Sequence, residues 1–81
     1  MADENLDQPV RNHIEQLVKE EHRLHGQKSL TDPDHRRLEA IQVELDQCWD
    51  LLRQRRALRE FGEDPDQARV RPADVVEKYE Q

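Results

Sequence analysis

Between Pro33 and Gly62 the chain runs without a glycine or a proline, and its apolar residues recur at helical spacing. Leu38, Ile41, Leu45, Cys48 and Leu52 step by 3, 4, 3 and 4, and Trp49 widens the same face. A helix turns about 100° per residue, so this spacing draws one apolar stripe along one side. Thr31 and Asp34 stand ahead of it at capping-box spacing, with Pro33 where the first turn tolerates it. The pattern predicts a helix over 32–61 whose stripe must be buried against something.

The segment before it supplies that something. Val10, Ile14, Leu17, Glu21 and Leu24 step by 4, 3, 4 and 3, with Val18 on the shoulder and Glu21 as the single polar interruption. Asp7 reads as an N-cap with Pro9 in the first turn, and Gly26 as the stop after His22, Arg23 and His25. This predicts a helix over 8–25 behind a frayed start at 1–7. A short connection makes the two helices antiparallel, with Leu17 opposite Leu45 and Val10 opposite Leu52. The second helix, at ~45 Å, outruns the first, at ~27 Å. Leu58 and Phe61 on the overhang then need cover from the tail, 63–81. There Glu63-Asp64-Pro65 breaks direction, and a short helix near 72–79 would carry Val75, Val76 and Tyr79.

The expected fold is therefore all-α. It is one domain, 1–81, built as an antiparallel two-helix hairpin with a long second helix and a short C-terminal helix or tail folded back. Ala40, Leu51 and Leu58 fall on another side of the long helix, away from the main stripe. That second strip calls either for docking of the tail or for pairing of two hairpins into a four-helix bundle. Composition favours help from outside the chain. Val, Ile, Leu and Phe number 18 of 81 residues and 40% are charged, so the core is thin for a lone globule. A homodimer is the expected state, with another protein as a further partner.

Other classes recede on the same grounds. The net charge of −6 opposes general attraction to nucleic acid or anionic membrane. No apolar run approaches the ~18 residues needed to cross a bilayer, and a lone Cys48 suits a reducing compartment. A cytoplasmic location follows as the expectation.

Few groups could carry chemistry. Arg53, Arg55, Arg56 and Arg59 form the densest charge cluster and are the candidates for anion or nucleic-acid binding. The acidic segments at either end of the chain are placed to neutralise them, and single-strand binding would want interleaved aromatics. His22, His25 and His35 are weak metal candidates at one end of the hairpin, without an HExxH or a cysteine in reach. Cys48 sits on the buried stripe in mid-helix, where a thiol is inert. No catalytic residue and no cofactor is assigned, and no enzyme is expected. The stretch Leu38 to Leu58 does resemble the first helix of the all-helical chorismate mutases, but the later helices that complete their pocket are missing.

One resemblance spans nearly the whole chain. The run Val43 to Ala57, containing Leu45-Asp46-Gln47-Cys48-Trp49-Asp50, is followed by Gly62-Glu63-Asp64-Pro65 and by Ala68 to Asp74. It closely resembles an actinobacterial family of small helical proteins catalogued as a domain of unknown function. The resemblance implies a cytoplasmic bacterial protein and no assigned activity. Asp46, Gln47 and Asp50 of its hallmark run point away from the main stripe or to its edge, so packing with helix 1 does not require them. The expected reading is a non-enzymatic interaction module. Trp49 and Leu52 would anchor the core, Leu51, Leu58, Arg53, Arg55 and Arg56 would form the contact face, and Asp46, Gln47 and Asp50 would form a partner surface.

Overall fold

A computed structural model describes residues 2–72, with side chains from Leu6 onward. Helix α1 spans Ala2–His25, helix α2 spans Asp32–Glu60, and a 3-10 turn occupies Pro65–Gln67. No strand occurs among the described residues. After the turn, 68–72 run extended back along α2; this segment is called the strap below.

The ends of α2 are set by short-range chemistry. Thr31 and Asp34 form the reciprocal box: the Asp34 amide donates to Thr31 Oγ1 at 3.3 Å, and the Thr31 amide donates to Asp34 Oδ2 at 3.1 Å. At the far end Gly62 takes φ +72°, a conformation side chains resist. Its amide reaches Arg59 O at 3.0 Å, and the Glu63 amide reaches Leu58 O at 2.7 Å, which is the Schellman pattern. Gly26 behaves differently from a left-handed cap: its φ is not positive, and its amide donates to His22 O at 3.0 Å.

The hairpin closes on the two stripes. Ile14, Leu17 and Leu24 of α1 are buried against Ile41 and Leu45 of α2, with Val10, Val18, Leu38, Cys48 and Leu52 packed around them. Polar pairs run along the edges of the seam. Arg37 grips Glu20 with two hydrogen bonds, at 2.7 and 2.8 Å, His13 Nε2 lies 3.3 Å from Glu44, and the Gln42 amide donates to Glu21. Glu21 thus interrupts the stripe to take a partner across the helix pair. The Arg37 guanidinium holds the Glu20 carboxyl below its ordinary value.

Three expectations change. Helix α1 begins at Ala2, not at residue 8, and Pro9 lies inside it. Asp7 does not serve as a cap, because Arg55 and Arg59 of α2 take its carboxylate at 3.3 and 2.9 Å. With α1 lengthened to 24 residues, ~36 Å, its first turns flank the end of α2 that was expected to overhang. Trp49 is not a core anchor but 48% exposed. It projects well to one side of Ile41, and the seam is filled by Cys48 and Leu52 instead. Finally, the described part of the tail, 63–72, does not cover Phe61, which is 80% exposed. The strap passes it and settles on the middle of α2, whereas the helix expected near 72–79 lies almost wholly outside the described residues.

The radius of gyration is 14.9 Å, against about 11–12 Å for a compact domain of this length. Among the described residues the pair is thus a long, thin layer with a broad face on either side of the seam.

Candidate functional site: the polar face of α2 and its strap

Gln47, Asp50 and Gln54 stand at intervals of three and four residues, which places them in one row on the side of α2 away from α1. This row receives the strap. The Gln54 side-chain amide meets the backbone of Arg69 twice, donating to its carbonyl at 2.7 Å and accepting from its N–H at 3.3 Å. Gln47 donates to the Arg71 carbonyl at 3.2 Å. Asp50 takes the Arg71 guanidinium in a two-pronged pair, with Arg71 Nε at 2.8 Å from Oδ2 and Nη2 on Oδ1. A third bond, from Gln54 Nε2 at 2.8 Å, adds to the carboxylate's shell.

Asp50 is fully buried, at 0% exposure. A buried carboxylate would ordinarily resist ionisation, but the Arg71 hydrogen bonds outweigh burial, and Gln54 adds to them, so its carboxyl sits below its ordinary value. Ala68 of the strap is buried in turn, and Leu51 beside Asp50 is buried as well. The first two positions of this row, Gln47 and Asp50, are among the hallmark residues that packing with α1 left unexplained. Their ligand is the chain's own Arg71, whose carbonyl meets Gln47 and whose guanidinium meets Asp50. Asp46, next to them, is half-buried.

Between α1 and the strap lies an open groove of about 590 Å³. Cys48 and Leu51 floor it, Pro9 and Val10 form the α1 wall, and Val70 forms the strap wall. His13, Glu44 and Gln47 supply polar edges. Val70 projects at the rim with 63% exposure. Burial, with Glu44 nearby, pushes the Cys48 thiol above its ordinary value, so it is a poor nucleophile at neutral pH.

The remaining candidates are dispersed. Arg55 and Arg59 turn inward to Asp7, and Arg55 also donates to the Leu6 carbonyl at 3.2 Å. Arg56 pairs along its own helix with Glu60 at 3.2 Å, while Arg53 stays exposed. Leu58 is half-buried over a shallow hollow shared with Phe61 and Gln67. His22, His25 and His35 are all exposed. Among the described residues no group of three or more His, Cys, Asp or Glu is placed to hold a metal ion, and no described helix is long and apolar enough to cross a membrane.

Sequence reasoning missed Gln54, Arg69, Arg71 and Asp7. The signal for Gln54 was available, because it continues the Gln47–Asp50 row by one turn. Nothing local marks Arg71 as its partner, since Arg71-Pro72 also reads as a helix start.

Comparisons with known proteins agree on the family. A family model described as a protein of unknown function (DUF2630) matches residues 6–81. Uncharacterized proteins of Mycobacterium tuberculosis and Mycobacterium bovis are each 56% identical over 72 residues, which covers 83% of this chain and 82% of theirs. No solved structure matches.

Proposed function

The chain belongs to this family of unknown function, and we propose that it is a non-enzymatic helical interaction module that pairs with a second copy through the groove between α1 and the strap. The observation that carries the reading is the groove itself. It has an apolar floor and walls, polar edges, and a valine displayed on its rim, the arrangement of an interface with an apolar centre and a polar border. The thin core supports it, because a chain of this size gains much from surface buried against a partner.

The contact face differs from the Leu51–Leu58 strip expected from sequence. Leu51 is buried, and what it offers a partner is the floor of the groove. A non-enzymatic role is supported by the raised Cys48 thiol and by the engagement of the buried carboxylates, Asp7 and Asp50, in structural pairs. The single cysteine also supports a cytoplasmic location.

Sedimentation of the wild type and of Val70→Asp tests this. The wild type should give twice 9.7 kDa, and the variant, whose altered side chain is mostly in solvent, should give the monomer with its helicity kept. A wild type that stays monomeric at all concentrations would overturn the reading.

A further inference from the structure

On the opposite side of the seam from the groove, α1 and α2 enclose a second hollow of about 280 Å³. Trp49 and Leu52 form its apolar part, Arg11 comes from α1, and Arg53 and Arg56 come from α2. The Asp7–Arg59 pair, at 2.9 Å, closes one end. Among the described residues the lining therefore carries four guanidiniums and one carboxylate, on a chain whose net charge is −6. The chain's only tryptophan stands half-exposed in the middle of them.

We propose that this face binds a small aromatic phosphate, a ligand of the nucleotide class, with its ring on Trp49 and its phosphate between Arg11 and Arg56. An indole face left in solvent is a stacking platform, and planar guanidiniums bind phosphate with two parallel hydrogen bonds. Arg11 and Arg56 are both exposed. The Arg56–Glu60 pair links two exposed side chains one turn apart, the kind of contact a phosphate displaces at little cost.

Size and charge narrow the ligand. The hollow lies at the small end of ligand sites, with room for about one ring and its phosphate. A polyanion that extends beyond the hollow meets the repulsion of the whole acidic chain over a Debye length of about 8–10 Å at physiological salt, and over a longer range at low ionic strength. A mononucleotide inside the hollow meets chiefly the arginines. The site is independent of the pairing groove, so either can stand without the other.

Trp49 provides the readout. The full-length chain is titrated at low ionic strength with adenosine monophosphate, and separately with inorganic phosphate, adenosine and oligothymidylate, while Trp49 emission is followed. Adenosine monophosphate should quench saturably and bind more tightly than either of its halves. Arg11→Gln/Arg56→Gln should weaken it about tenfold or more with unchanged circular dichroism, and Arg36→Gln, far along α2, should leave it unchanged. No saturable quenching of the wild type by the mononucleotide would overturn the proposal, as would equal affinity in the double variant. Binding of oligothymidylate with no response to the mononucleotide would also overturn it, in favour of a single-strand site.

Discussion

Replacing Arg71 with methionine keeps a long side chain but removes the guanidinium that neutralises Asp50. The carboxylate, fully buried, would be left with the Gln54 amide at 2.8 Å. Stripping a counterion from a buried charge costs about 3–5 kcal/mol. Two features of this site lower that figure. Arg71 is itself 34% exposed, so solvent already screens part of the attraction. The strap can also peel from α2 and readmit water to Asp50, which caps the cost at the free energy that holds the strap. That free energy is about 2 kcal/mol for one screened charge pair and its neighbouring hydrogen bonds, a roughly thirtyfold rise in the open population.

Amide hydrogen exchange reads this directly, because the Arg69 N–H is bonded to Gln54 Oε1 at 3.3 Å. In Arg71→Met the Arg69 amide should exchange about thirtyfold faster, while the Leu45 amide in the hairpin core changes far less. Adding Asp50→Asn should recover part of the loss, since no bare charge then remains buried. An Arg69 amide that exchanges at the wild-type rate in Arg71→Met would refute the reasoning. So would equal acceleration at Leu45, which would make the strap inseparable from the hairpin.

The same pair sets an acid response. Asp50 has its folded value depressed, so its contribution is complete above its ordinary value near 3.8 and is lost as pH falls through the lower folded value; Arg69 protection should persist from pH 7 to 5 and begin to weaken only below pH ~4. Ile41→Ala empties the most buried position in the seam and should cost about 3–4 kcal/mol, seen as loss of most of the helical signal in a small domain. Gly62→Ala places a side chain at φ +72° and should cost about 1 kcal/mol in chemical denaturation, although nothing crowds the position. Cys48 should react with a disulfide reagent at pH 8 more slowly than a free thiol, and an equal rate would contradict its raised value.

The helical hairpin was legible because its signals are local. The uninterrupted stripe from Leu38 to Leu52, the Thr31–Asp34 box and Gly62 each act within a few residues of themselves, and α2 falls within one residue of its expected end. The start of α1 was not legible for the opposite reason. Asp7 and Pro9 carry a good local signature of a helix entry, but arginines some fifty residues away claim the Asp7 carboxylate. Trp49 illustrates a limit of projection. One residue on from Cys48 it still counts as part of an apolar arc, yet the seam between two helices is narrower than the arc. At the candidate site, the row Gln47–Asp50 was visible as polar residues with no packing role. Its occupant was not, because an extended strap held through backbone carbonyls leaves no periodic trace in sequence.

Pairing through the groove is tested most directly by isotope-filtered nuclear Overhauser measurements on a mixture of labelled and unlabelled copies, where only contacts between chains give signals. Cross-peaks should join the methyl groups of Val10, Leu51 and Val70 to the other copy. Absence of such signals in a sample of known mass, or signals confined to Leu58 and Phe61 at the end of α2, would contradict it.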